Sequence, residues 1–140
     1  LLENMDVEVG FTITTMDEII AGKIEPGAPP PQRRVQALKK LSAAGINTWV
    51  FLGPVIPQIN DSEDLLREVV KEAKDAGASK LMYDRLRLKP HLKERLQKLF
   101  GYGKAMEIFR LAQDPEWDER VGIDIEILCD DFGLDCEKGL

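Results

Sequence analysis

The chain has 140 residues, 44% of them hydrophobic and 31% charged, with a formal net charge of −6. This is enough for one domain with a real core and is ordinary for a soluble globular protein, while the acidic total excludes a broad nucleic-acid-binding face and leaves only a local basic groove open. Two cysteines, Cys129 and Cys136, exclude a disulfide framework and fit a reducing cytosol, and no apolar run approaches the roughly 20 residues of a membrane span.

Leu1–Met5 reads as the end of a helix or the loop after it. Val7, Val9, Phe11 and Ile13 alternate with Glu8, Gly10, Thr12 and Thr14, a period of two that predicts a strand. Met16–Gly22 predicts a short helical turn. Glu25–Pro31 holds four prolines and a glycine and so reads as loop, with Pro31 placed to open a helix. Val35, Leu38, Leu41 and Ala44 then recur at helical spacing up to Gly45, which closes the helix. Asn47–Leu52 is a near-continuous apolar run ending at Gly53-Pro54, the pattern of a strand buried on both faces.

Asp61 or Ser62 caps the next helix, with Glu63 and Asp64 in its first turn, where the helix dipole favours acids. Leu65, Leu66, Val69, Val70 and Ala73 form its buried stripe and Gly77 stops it. Lys80–Leu88 predicts a third strand, Pro90–Phe100 a helix, and Lys104–Ala112 a further helix after the Gly101-Tyr102-Gly103 break. Ile123–Leu128 reads as a last short strand or as an apolar tail packed on the domain.

The βαβαβα rhythm implies an α/β fold with a parallel sheet and right-handed crossovers. Three such units are too few to close an eight-stranded barrel, and the pattern also suits half of an open doubly wound sheet. No GxGxxG follows a strand and no GxxxxGK[ST] loop is present, so the nucleotide-phosphate motifs are absent. Residues 1–100 are expected to form the three βα units, and residues 101–140 a helical and acidic extension packed on them.

TITT, EPGAP, RRVQALKKLSAAGI, PVIPQIND and LRLKP together decide between the two folds. They resemble the carboxy-terminal half of radical S-adenosylmethionine (radical SAM) proteins, in the group related to spore photoproduct lyase and labelled DNA repair photolyase. The resemblance runs from about Val7 to Pro90 and implies the fourth, fifth and sixth strands of a partial TIM-type barrel. The family's CxxxCxxC loop, whose three thiolates hold a [4Fe–4S] cluster, is absent, and Cys129 and Cys136 are too few and too late to replace it. The resemblance therefore implies S-adenosylmethionine and [4Fe–4S] for a full-length enzyme and no bound cofactor or metal for this chain alone. The start at Leu1, without Met or signal peptide, fits a piece of a longer cytoplasmic protein.

Strand ends carry the chemistry in parallel barrels. Thr12 and Thr14 share the polar face of the first strand, and their hydroxyls suit a ribose or an amino-carboxylate. The resemblance makes them cofactor contacts, and strand propensity is the plain alternative. Val55 and Ile56, followed by Pro57, offer an apolar wall to an adenine or form a rigid loop. Asn60 reads a base edge or makes an Asx turn. Tyr83, Arg85 and Arg87 are expected on one face of the third strand. There the two guanidiniums either make a forked anion site for carboxylate or phosphate or pair with Asp84, Glu8 or another carboxylate.

Arg33, Arg34, Lys39 and Lys40 read as a solvated helix face. Glu25 reads as a loop anchor or a catalytic acid, His91 as a surface residue, and Trp49 and Trp117 as core and tail packing. Cys129 and Cys136 are ordinary buried cysteines or a redox or hydrogen-atom-donating pair. Two readings of function follow. One is a radical SAM enzyme part whose full-length form acts on nucleic acid. The other is a non-catalytic α/β binding or scaffold domain that has lost the cluster half. Truncation would leave the first strand's edge unpaired, which invites a missing N-terminal half or a dimer partner.

Overall fold

The computed structural model describes residues 7–139, and the expectation for Leu1–Met5 lies outside them. The elements in chain order are β1 (Glu8–Thr12), α1 (Glu18–Ile24), α2 (Pro31–Ala43), β2 (Asn47–Val55), α3 (Glu63–Asp75), β3 (Lys80–Arg85), α4 (Leu92–Phe100), α5 (Tyr102–Ala112), α6 (Pro115–Phe132) and β4 (Asp135–Lys138). The four strands lie side by side in sequence order and every pairing is parallel. The mixed α/β parallel architecture expected from the rhythm is the one observed.

Local signals explain the element boundaries. Asp17 caps α1 by accepting from the Ile19 and Ile20 amides at 3.0 Å. Pro31 and Pro115 occupy the first turns of α2 and α6, where no intrahelical donor is needed. Ser62 caps α3 by accepting from Leu65 N. Gly45 and Gly77 follow α2 and α3 with φ of +87° and +94°, a left-handed geometry that a side chain would strain.

Register settles which residues share a face. Phe11, Val50, Leu81 and Cys136 are successive partners across the sheet, so they point the same way. That face packs on α2, α3 and α6. The core there joins Leu38, Val50, Leu52, Leu66, Val69, Val70, Leu81, Tyr83, Trp117, Val121, Ile125 and Leu128, each apolar side chain contributing about 2 kcal/mol of burial. The opposite face carries Thr12, Phe51 and Met82 in one row and Gly10, Trp49 and Lys80 in the next. Trp49, Phe51 and Met82 are only half-buried and belong to neither core. A Cβ on Gly10 would fall 2.4 Å from the indole of Trp49, so glycine is what lets that ring lie across β1. A second, smaller core of Ile56, Leu92, Leu96, Ala105 and Ile108 seats the α4–α5 hairpin on the loop after β2.

Two expectations are corrected. Ile123–Leu128 is neither strand nor tail but the middle of α6, whose buried residues Trp117, Val121, Ile125 and Leu128 keep helical spacing over 18 residues. The last strand is instead β4, with the sequence DCEK. Its polar composition concealed it, and pairing with β3 makes it a strand. The third strand stops at Arg85, so Arg87 and Leu88 lie beyond it. Residue 100 is the last of α4, β4 pairs with β3, and α6 packs into the main core. Among the described residues no helix is long and apolar enough to cross a membrane.

Candidate functional site at the strand exits

The carboxy ends of β1, β2 and β3 converge, as parallel pairing requires. Asn60 holds the first two exits together. It is fully buried: its Oδ1 accepts from Ile56 N at 2.7 Å, and its Nδ2 donates to Thr14 O at 2.8 Å and Pro54 O at 3.2 Å. Asp61 fixes the other side of the same loop. Its Oδ1 accepts from Gln58 N at 3.0 Å, and its Oδ2 accepts from Trp117 Nε1 at 2.9 Å and Arg120 Nη2 at 3.1 Å. Gln58 has φ of +65° and is tied through its side chain to Glu107 and Lys104 of α5. The PVIPQIND loop is therefore fastened to β1, α5 and α6 at once.

Beside the β1 exit lies a cavity of about 180 Å³, lined by Thr12–Thr15, Glu18 and the prolines and Ala28 of the loop before α2, and bounded by Glu25 and Arg34. Arg34 donates to Thr12 O at 2.6 Å and forks onto Glu25 at 3.4 and 3.2 Å. Because Ile13 N already bonds to Phe51 O of β2, the alternation of a parallel ladder turns the Thr12 carbonyl to the free edge of β1. Arg34 takes that carbonyl. Hydroxyls, a carboxylate and a guanidinium around one small cavity can hydrogen-bond a ligand carrying hydroxyl or zwitterionic groups.

The structure places the sequence candidates as follows. Thr12 is exposed on the open sheet face, while Thr14 lies past the strand and is almost fully buried against the cavity. Val55 and Ile56 are buried in the main and the hairpin core respectively, so the expected apolar wall is packed rather than open, and the Ile56 amide is already bonded to Asn60. Tyr83 and Arg85 turn to the helix side of the sheet: Tyr83 Oη donates to Glu126 at 3.0 Å, and Arg85 forks onto Asp118 of α6. Arg87 pairs with Asp84. The two guanidiniums thus do not share a site, and of the alternatives read from the sequence the ion-paired one describes them. The reason is that α6, a helix the sequence reading did not see, brings Asp118 to the end of β3.

Burial, followed by the hydrogen bond to Glu126, raises the Tyr83 pKa above its ordinary 10.0. Cys129 is held as the thiol by its hydrogen bond to Cys136 and by burial, and the same bond lowers the Cys136 pKa. Among the described residues no three His, Cys, Asp or Glu side chains could hold a metal ion together. Sequence reasoning missed Asp61 as a loop anchor and Arg34 as more than a solvated cation. For Asn60 it weighed only a base contact and an Asx turn. The available signal was Asn-Asp directly before a capped helix at a strand exit.

No family model matches the chain. It is 29% identical over 114 residues to the uncharacterized protein ORF301 of Acidianus two-tailed virus, covering 79% of this chain and 36% of that protein. It is 37% identical over 62 residues to the uncharacterized protein MJ0683 of Methanocaldococcus jannaschii (44% and 24%). To the uncharacterized protein Rv2578c of Mycobacterium tuberculosis it is 30% identical over 77 residues (55% and 23%). The chain spans about a quarter to a third of the length of these curated relatives. Among solved structures, a domain of pyruvate-formate lyase-activating enzyme from Bacteroides vulgatus matches with a TM-score of 0.62 and 11% identity, covering 95% of this chain and 67% of that one. The chain shares that domain's fold.

Proposed function

We propose that the chain is the carboxy-terminal part of a radical SAM enzyme, with the exits of β1 and β2 facing the cofactor and a nucleic acid as substrate of the complete enzyme. The observation that carries this reading is the fold shared along 95% of the chain with a domain of pyruvate-formate lyase-activating enzyme, a radical SAM enzyme. The uncovered sheet face supports it. All-parallel sheets are normally covered on both sides, and here Thr12, Trp49, Phe51 and Met82 face away from every helix of the main core, as residues lining the inside of a barrel do.

The residues present suit one of the two groups such an enzyme uses. Thr12 and Thr14, at the cavity beside β1, would hold hydroxyl or amino-carboxylate groups of S-adenosylmethionine. Bound there, that cofactor would supply radical chemistry. The cluster is not suited: it needs three converging thiolates, and the chain has only Cys129 and Cys136, engaged with each other near its other end. Its ligands belong to a part of the enzyme outside these 140 residues.

Equilibrium dialysis with labelled S-adenosylmethionine tests the assignment. The complete enzyme is expected to retain the cofactor, and Thr14→Val within it to weaken retention by roughly tenfold, the value of one lost hydrogen bond. Equal retention by wild type, Thr12→Val and Thr14→Val, or none by the wild type, would remove the cofactor from these strand ends.

A further inference from the structure

The charge of this chain is unevenly placed. Residues 87–110 hold seven cations, Arg87, Lys89, Lys93, Arg95, Lys98, Lys104 and Arg110, against two carboxylates, Glu94 and Glu107. The rest of the chain has 12 cations and 23 carboxylates. All seven cations are exposed. Arg87 pairs with Asp84, and the other six form no ion pair with a described residue.

Stability does not ask for this arrangement. On α3 the signs are interspersed, with Glu63–Arg67 and Lys71–Asp75 joined at 2.7 and 3.1 Å. On α4 Arg95 and Lys98 are like charges at helical spacing, and Glu94, one turn before Lys98, forms no ion pair with it. The α4–α5 hairpin therefore keeps an unneutralised basic surface in an acidic protein. It is also positioned. Ile56 and Ile59 of the loop after β2 pack against the hairpin's core, so the hairpin that carries these cations is seated on the loop at the strand exits. At its turn Tyr102 is 71% exposed, a ring with no core to serve.

We propose that the α4–α5 hairpin binds the phosphate backbone of a single-stranded nucleic acid. Flexible lysines and arginines without acidic partners neutralise phosphates and release counterions, and an exposed aromatic ring offers a stacking surface to an unpaired base. The inference deepens the substrate class of the reading above and rests on it only for the link to catalysis; the charge distribution is a separate observation.

Fluorescence anisotropy with a labelled 16-nucleotide single strand, its duplex, and anionic phospholipid vesicles as competitor tests the proposal without any cofactor. The single strand is expected to bind more tightly than the duplex, with an affinity that falls steeply with salt. Lys89→Gln/Arg95→Gln/Lys98→Gln should lower the slope of log affinity against log salt by about 2, at about 0.7 for each phosphate contact. Tyr102→Ala should weaken binding roughly tenfold or more. Lys39→Gln/Lys40→Gln, on α2, should leave binding within about twofold. No binding at 50 mM salt, tighter binding to duplex, an equal loss in the α2 variant, or full displacement by vesicles would each overturn the proposal. Retention of S-adenosylmethionine is unaffected by the hairpin variants on this account, so the two readings fail separately.

Discussion

Asn60 has no exposed surface, and both polar atoms of its amide are used across two strand exits. Replacing it by alanine leaves the Ile56 amide and the Thr14 carbonyl buried without these partners. Unsatisfied groups of this kind cost about 1–3 kcal/mol each, so Asn60→Ala is expected to lose about 2–4 kcal/mol in urea denaturation. Asn60→Asp should be no better, because a carboxylate lacks the donors that Thr14 O and Pro54 O require. An Asn60→Ala protein as stable as wild type would remove the loop anchor. Only part of this role was legible. Asparagine before a capped helix announces local bonding, but its partner Thr14 lies 46 residues away and is brought near by the parallel pairing of β1 and β2.

At the scale of elements, Tyr83 ties β3 to α6. Its hydroxyl donates to Glu126, and its folded pKa is raised chiefly by burial. A raised folded pKa contributes stability that is fully present below the ordinary 10.0 and is lost as pH rises through the folded value. Stability is therefore expected to fall between pH 10 and more alkaline solution, with a shallower fall in Tyr83→Phe. A phenolate absorbance titration of Tyr102→Phe isolates Tyr83, the other of two tyrosines, and should show ionisation above pH 10. Ionisation at or below 10 would contradict the buried, bonded hydroxyl. The strand was legible through Leu81 and Tyr83, but its partner was not. In α6 the buried residues are spread over 18 positions among acids, so a short apolar run such as Ile123–Leu128 reads more easily as something else.

At the scale of the whole molecule, among the described residues the sheet has a free edge at β1 and an uncovered face. Edge strands invite pairing, and this one is short, carries Glu8, and has its Thr12 carbonyl taken by Arg34. Those features blunt the edge without covering Gly10. Self-association through β1 is still expected, as a dimer in light scattering at high concentration. Arg34→Ala should shift it to lower concentration by freeing the Thr12 carbonyl. A strictly monomeric species in both proteins would show that the edge is closed. The free edge was foreseeable from the order of strands and helices, whereas its guard was not, because Arg34 reads as one more cation on a polar helix face.

Periodicity alone determined the α/β class, the parallel strands β1 to β3 and the helices between them, because alternation, helical spacing, caps and glycines are local signals that survive without tertiary context. The count of cysteines determined that the chain cannot supply three thiolates. Only the tertiary structure decided which strand exits are joined, that Arg85 is neutralised by Asp118, that DCEK becomes a strand, and that the hairpin carrying the basic residues packs on the loop after β2. Each of these depends on residues distant in sequence becoming neighbours, and no local pattern carries the information about who the neighbour will be.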